Sequence, residues 1–192
     1  MAGRVGLRRS DVVEAACAVA DELGFDAVTM SEVARRLGVK AQTIHAHMGS
    51  LDDLRRAVQL QGATMLRDQL HQRLLGLTGG EALVALVTTV DEFDLEHPGL
   101  SLVSSAPIPG EDQDLELILE DIHTMPRRFM AGRGLRDGDV THYSRLVWVL
   151  LYGFLRMRRF GSFRSPPSTS TTLRRGIEAI IRDLEARAGQ ET

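Results

Sequence analysis

Apolar residues recur at helical spacing along almost the whole chain, whereas the alternation of apolar and polar residues that marks a strand is rare. Val12, Val19 and Leu23, for example, share one face of a predicted helix for which Ser10 is the expected cap. Glycine and proline separate such segments, and Pro126 is expected to kink or divide one of them. The predicted helices span approximately residues 10–23, 30–37, 40–47, 51–75, 81–96, 99–105, 111–132, 138–160 and 172–187. The pattern therefore predicts an all-α protein of nine helices.

The segment from residue 29 to residue 53 predicts two short helices around a tight turn, followed by the start of a third. Thr29 and Glu32 match a capping box, in which the threonine hydroxyl accepts a free amide and Glu32 reaches back to the cap. Gly38 ends this helix, because glycine adopts the left-handed conformation at the least cost. Ser50 and Asp53 offer a second capping box. A helix, a glycine turn and a second helix with a polar face form the helix-turn-helix pattern, whose second helix enters the DNA major groove.

This segment resembles the DNA-binding domain of the tetracycline-repressor (TetR) family. The residues that stand at the family's spacing are Phe25, Thr29, Met30, Val33, Ala34, Leu37, Gly38, Val39, Ile44, His47, Ser50 and Leu54. The resemblance covers about residues 7–58, and beyond them it rests on chain length, helix order and the stretch Leu146–Leu155. It implies a three-helix DNA-binding domain over residues 1–50 and a six-helix domain for effector binding and dimerisation over residues 51–192.

Three positions depart from the family pattern, namely His45, Met48 and Leu51, where the family usually has Tyr, Phe and Lys. That Tyr and that Lys typically contact DNA phosphates in the family. The net charge of the chain is −3, so any charge that attracts DNA must be local. Two interpretations therefore stay open. One is a regulator that binds a specific operator, and the other is a diverged family member that binds a ligand or a protein partner without specific DNA binding.

The outer face of the second helix of this pattern supplies the candidate contacts to bases. Gln42 and Thr43 suit base edges, and Lys40 suits guanine or a phosphate. His45 is expected on a phosphate in place of the family's Tyr. The alternative is that this face is simply solvated. His45 and His47 point to nearly opposite sides of a helix, so they cannot chelate one metal ion.

Further candidate DNA contacts lie at helix starts and near the N-terminus. Thr29 and Ser50 stand at helix N-termini, where free amides and the helix dipole attract phosphate. Arg4, Arg8 and Arg9 form a basic arm that is expected to enter an adjacent minor groove.

The resemblance implies that the larger domain binds a small-molecule effector. The candidate pocket residues are large or polar side chains on otherwise apolar faces, namely Met65, Phe93, His97, Met125, Trp148 and Tyr152. Core packing is the alternative role for each of them. A buried Trp or Tyr needs a partner for its polar hydrogen, and a ligand is one way to supply it. Because these residues are mostly apolar, a neutral or aromatic effector is expected.

The resemblance also implies a homodimer through the eighth and ninth predicted helices. Ile177, Ile180, Ile181 and Leu184 share one side of the ninth helix, which a second copy would cover, although packing inside the chain is the alternative. Such a dimer holds its two recognition helices about one turn of DNA apart, roughly 34–36 Å. In the family, DNA binding usually represses transcription, and effector binding typically changes this spacing and weakens operator binding.

Nothing in the sequence points to an enzyme. It contains no Gly-rich phosphate loop after a strand, no nucleophile motif and no metal-ligand spacing, so neither a cofactor nor a metal is expected. Cys17 is the only cysteine, which excludes a disulfide framework. The N-terminal residues lack the apolar segment of a signal peptide, and the apolar run Leu146–Leu155 is too short to span a bilayer. A cytoplasmic location is therefore expected.

Overall fold

A computed structural model describes residues 6–101, 112–131, 134–165 and 169–189. Every regular element in these ranges is helical, which confirms the all-α class. A 3-10 turn, Phe25–Ala27, joins the first two α-helices. The α-helices are α1 (Arg9–Leu23), α2 (Met30–Leu37), α3 (Ala41–Met48), α4 (Leu51–Leu74), α5 (Gly79–Glu96), α6 (Gln113–Met130), α7 (Asp137–Arg159) and α8 (Thr169–Ala188).

The prediction of nine helices is wrong by one, since the described ranges contain eight. The difference is the short helix predicted over residues 99–105. The first residues of that segment form a turn, in which the amides of Leu100 and Ser101 donate to the carbonyl oxygen of His97 at 3.1 and 3.0 Å. A proline and a glycine precede Leu100, and both residue types disfavour helix. Residues 102–105 lie outside the described ranges.

The chain forms two compact units, each built from stretches that are separate in sequence. The first unit contains Met1–Leu66 and Phe93–Leu119, and the second contains Arg67–Glu92 and Glu120–Thr192. The domain boundary that the resemblance implies after residue 50 stays a prediction.

In the first unit, α1, α2 and α3 pack into a small bundle. Each helix contributes apolar side chains that water does not reach, including Val12 and Val19 of α1, Val33 of α2 and Ile44 of α3. Burial of this apolar surface is the main term that stabilises the bundle. It fixes which faces of α2 and α3 remain outside.

Local hydrogen bonds set the ends of α2. The Glu32 amide donates to the Thr29 hydroxyl at 3.2 Å, and Gly38 ends the helix in the left-handed conformation with a φ of 66°, as predicted. The other half of the predicted box is wrong, because the Glu32 carboxylate pairs with Arg35 rather than with the cap. A guanidinium one turn away offers a charge-assisted bond, which is stronger than a bond from a neutral amide.

The start of α1 also differs from the prediction. The helix begins at Arg9, and Arg8 rather than Ser10 occupies the cap position. The Asp11 carboxylate accepts from the Arg8 amide at 2.9 Å and from the Arg8 guanidinium at 2.8 Å. A carboxylate in the first turn suits the positive end of the helix dipole, so Asp11 stabilises this helix start.

In the second unit, α7 and α8 pack against each other. Val147 of α7 and Ile177 and Leu184 of α8 are each at most 2% exposed. Ile180 and Ile181 are half-buried. Ile177 and Leu184 therefore pack inside the chain, which is the alternative to a place on the dimer surface.

The helix α6 continues through Pro126, so the proline does not divide it. Pro126 is buried, and burial of its neighbours offsets the hydrogen bond that a proline removes. Within the described ranges, no helix is both long enough and apolar enough to cross a membrane.

The Thr29 cap leads to a stability prediction. Thr29→Ala is expected to lower the free energy of unfolding by about 1 kcal/mol, because the Glu32 amide loses its acceptor. Thr29→Ser keeps the hydroxyl and is expected to retain most of the stability. Urea unfolding followed by circular dichroism measures both changes. Equal losses in the two variants would show that the methyl group, and not the cap, stabilises the helix start.

Candidate nucleic-acid interface and effector-binding residues

The helix α3 presents an inner and an outer set of side chains. Ile44 and Met48 are 0 and 3% exposed and fix the helix on the bundle. Gln42 and His45 are exposed on the outside, and Thr43 is half-buried. A recognition helix needs this division, because its outer side chains must reach base edges while its inner ones hold it in place.

His45 makes a contact that limits its chemistry. Its Nδ1 lies 3.4 Å from the carbonyl oxygen of Gly49. A carbonyl only accepts, so this contact favours the neutral tautomer that has its proton on Nδ1 and a lone pair on Nε2. A doubly protonated ring also offers a phosphate oxygen an N–H on Nε2. Protonation therefore favours phosphate binding by His45.

Arginines near the turn are already paired with carboxylates. Arg36 of α2 bonds Glu22 of α1 at 2.6 Å, and Arg35 pairs with Glu32 within α2. Lys40, at the N-terminal cap position of α3, is exposed and has no carboxylate partner among the described residues. Lys40 therefore offers a positive charge at the start of α3 that no described carboxylate neutralises.

Only part of the predicted basic arm lies within the described residues. Arg4 lies outside the described residues. Arg8 is the cap of α1 and pairs with Asp11 at 2.8 Å, while Arg9 is the exposed first residue of the helix. Arg8 and Arg9 thus belong to α1 rather than to an extended arm.

The two predicted phosphate contacts at helix starts differ in what they can donate. The Thr29 hydroxyl accepts from Glu32, so its own hydrogen remains available to a phosphate. Ser50 and Asp53 form the complete predicted capping box. Because the Ser50 amide and hydroxyl both donate to the Asp53 carboxylate, at 3.1 and 2.7 Å, neither is left for a phosphate.

The six predicted effector residues fall into two groups. Met65 and His97 line a cavity of about 830 Å³ in the first unit. Phe93 is fully buried and packs against the His97 ring at 5.0 Å, so it supports the cavity wall without lining it. The lining consists of Arg9, Ser10, Val13, Glu14, Cys17, Ala18 and Asp21 from α1, Arg56, Ala57, Leu60, Gln61, Thr64 and Met65 from α4, and His97 and Leu100.

At one end of this cavity, α1 is tied to the turn that follows α5. The Asp21 carboxylate lies 2.8 Å from Nδ1 of His97 and accepts from the Gly99 amide at 2.9 Å. Both side chains of the Asp21–His97 pair are mostly buried. The pair therefore fixes the orientation of the imidazole that lines the cavity.

Met125, Trp148 and Tyr152 form the other group, in the second unit, together with His123. The Trp148 Nε1 donates to the carbonyl oxygen of His123 at 3.1 Å, and the Tyr152 hydroxyl lies 3.1 Å from Nε2 of His123. The Trp148 and Tyr152 rings stack at 5.4 Å. Met125 is 3% exposed and belongs to the core.

His123 was not among the predicted residues, and it gives the polar groups of both Trp148 and Tyr152 a hydrogen-bond partner within the chain. Their role in effector binding stays a prediction. Burial lowers the pKa of His123 and raises the pKa of Tyr152 to about 12, so the hydrogen bond between them joins a neutral imidazole and a neutral hydroxyl. Helical spacing assigns His123 to a face of its helix, but it does not show which helix meets that face. Among the described residues, no group of His, Cys, Asp or Glu could hold a metal ion.

Family models match both halves of the chain. Residues 12–58 match the model for bacterial regulatory proteins of the tetR family, and residues 83–180 match the model for the tetracyclin repressor-like C-terminal domain. Two relatives are uncharacterized HTH-type transcriptional regulators. YobS of Bacillus subtilis is 24% identical and matches 80% of each chain, and Rv0681 of Mycobacterium tuberculosis is 27% identical over 81% of this chain and 72% of its own.

Solved structures share the fold. A protein of unknown function from Rhodococcus sp. RHA1 has a TM-score of 0.80 at 17% identity, over 96% of this chain and 99% of the other. The regulator FadR of Bacillus subtilis, in complex with stearoyl-CoA, has a TM-score of 0.71 at 13% identity, over 91% and 98%. The matches to both family models show that this chain belongs to the tetracycline-repressor family of bacterial transcription regulators.

Proposed function

We propose that this protein is a ligand-responsive repressor, which binds a palindromic operator as a homodimer and releases it when a small apolar or aromatic effector binds. The observation that carries the proposal is the division of α3, whose inner residues Ile44 and Met48 are buried while Gln42 and His45 face outward. Family membership gives this helix the role of reading DNA.

Within the DNA interface, base and phosphate contacts have separate roles. Gln42 and Thr43 are proposed to contact base edges, where an amide suits adenine and a threonine suits either a methyl group or a polar edge. Lys40 and protonated His45 are proposed to contact phosphates, together with the Thr29 hydroxyl. Ser50 contributes to the helix start through Asp53.

The proposed dimer surface is the outer side of α7. Leu146, Val149, Met157 and Phe160 are 48, 68, 48 and 71% exposed, and their spacing places them in one stripe along the helix. Gly153 lies in the middle of this stripe, with open space around it. An exposed apolar stripe with a glycine at its centre suits the close approach of a second helix, and a two-fold dimer supplies one.

The responsiveness to a ligand is proposed from the family and from its fold. The FadR structure with the same fold holds stearoyl-CoA, a ligand with a long apolar part. In this chain, the cavity lined by Met65 and His97 supports the proposal, because its volume of about 830 Å³ can accommodate a small molecule. An effector weakens DNA binding only if it prefers the arrangement that does not fit the operator.

A second candidate function is a family member without specific DNA binding. It is favoured by the carboxylate pairing of Arg35 and Arg36 and by the absence of a free donor on Ser50. The chain would then bind a ligand or a protein partner. The salt dependence of DNA binding separates the two candidates, because specific operator binding combines sequence preference with a steep salt slope.

The function is tested by fluorescence anisotropy with the DNA that flanks the gene, beside a scrambled duplex. Salt-sensitive binding is expected for the flanking DNA only. Lys40→Gln is expected to weaken binding at least tenfold and to lower the salt slope by about two, because the dimer loses one phosphate contact per copy. Arg182→Gln, the same charge change on the exposed face of α8, is the control and should leave binding unchanged. Equal weak binding to both duplexes, followed by no enrichment from a random DNA library, would favour the second candidate.

The geometry of His45 predicts a pH dependence. Because a doubly protonated imidazole offers a phosphate an additional N–H donor, the proposed contact predicts that DNA affinity rises when the pH is lowered from about 8 to 6. His45→Ala should lose this rise, whereas His71→Ala, at an exposed position of α4, should keep it. Anisotropy titrations across this range measure the effect. The same pH dependence in wild type and His45→Ala would exclude the proposed contact.

The apolar stripe predicts the oligomeric state. Wild-type protein at micromolar concentration is expected to sediment as a dimer, and Val149→Arg as a monomer, because a buried unpaired charge opposes association. Thr88→Arg, at an exposed position of α5, provides the matched control and should remain a dimer. A monomeric wild type, or a dimeric Val149→Arg, would contradict the assignment of this surface.

A further inference from the structure

The cavity of the first unit has the size and the walls of a small-molecule site. Its volume of about 830 Å³ lies within the range of ligand pockets, roughly 300–1,000 Å³. One wall is a face of α1, the other is a face of α4, and Leu100 and His97 lie at one end. All of these residues belong to the first unit, so the cavity is formed within a single compact body.

The middle of the cavity is apolar. Val13, Cys17 and Ala18 line it from α1, and Ala57 and Leu60 line it from α4. Burial raises the pKa of the Cys17 thiol to about 12, so this side chain is uncharged and behaves as a small apolar group. An apolar surface of this kind favours an apolar ligand body.

The charged groups of the cavity are largely engaged by the protein itself. Arg56 bonds the Asp112 carboxylate at 2.5 and 2.6 Å. The Asp21 carboxylate is held by His97 and by a backbone amide. Among the lining residues, Arg9 and Glu14 remain, with opposite charges. The cavity therefore offers no net charge that would select an ion.

We propose that this cavity binds a neutral, mainly apolar small molecule, with a polar group that Gln61 or Thr64 can hydrogen-bond. The opposite face of α1 carries Val12 and Val19 of the DNA-binding bundle, so a ligand here contacts the helix that supports the helix-turn-helix. That link to gene control rests on the proposed function. The site itself does not, because it can be tested without DNA.

The test uses Nile red, a neutral dye whose fluorescence increases in apolar surroundings, with the full-length protein. Wild type is expected to bind the dye saturably. Ala57→Phe fills the cavity and should weaken binding at least tenfold, since one phenyl ring occupies the space between α1 and α4. Ala186→Phe adds the same ring at an exposed position of α8 and should bind like wild type. Equal affinity in wild type and Ala57→Phe would overturn the proposal.

Cys17 supplies a second measurement that does not depend on the stability of a variant. It is the only thiol in the chain and it lines the cavity, so alkylation by N-ethylmaleimide at a fixed alkaline pH reports on this site. Saturating Nile red should slow alkylation in wild type several-fold. An unchanged alkylation rate at saturating dye would place the dye elsewhere and overturn the proposal, whether or not the protein binds DNA. Loss of operator binding with intact dye protection would instead refute only the proposed function.

Discussion

Gly99 lies so close to α1 that a Cβ at this position would fall 1.9 Å from the carbonyl oxygen of Ala20 and 2.6 Å from the Asp21 nitrogen. Both neighbours are backbone atoms, so no side-chain movement could make room. The Asp21 carboxylate bonds the Gly99 amide and the His97 ring across the same contact. Only glycine lets the turn after α5 approach α1 this closely, and the carboxylate holds it there.

This contact matters because α1 has two roles. One of its faces is packed into the bundle that orients α2 and α3, and another lines the cavity with Cys17 and Ala18. Packed interiors do not deform continuously, so α1 and the turn move together or separate at a defined cost. His97 therefore bonds directly to a side chain of the helix that supports the recognition helix.

The sequence predicted the features that depend on a few adjacent residues. The Thr29 cap, the left-handed Gly38 and the Ser50–Asp53 box each follow from side-chain chemistry within one helical turn, and the structure has all three. Features that depend on which helices contact each other could not be predicted from such local patterns. The role of His123 requires α6 and α7 to face each other, and no periodicity within one helix contains that information.

The same limit applies to the apolar face of α8, for which the sequence left two alternatives open. Ile177 and Leu184 carry the spacing of an apolar face, and that spacing is identical whether the face meets α7 or a second copy. In the structure α8 packs against α7, and Ile177 and Leu184 are both buried within the chain. On α7 itself, the apolar side chains left outside are Leu146, Val149, Met157 and Phe160.

The charges that the DNA-binding bundle presents to DNA also depend on contacts between its helices. Ion pairs such as Arg36–Glu22 hold α1 and α2 together at the cost of charge that could attract DNA. Within the described ranges, a single bundle therefore presents few cationic side chains that are not paired with a carboxylate, and Lys40 is one of them. In a dimer, binding of the first copy to DNA holds the second copy close to its half-site, so the second copy binds at a high effective concentration. Dimerisation through α7 would therefore compensate for a weakly charged recognition surface, and it would make operator binding sensitive to any ligand that changes the spacing of the two copies.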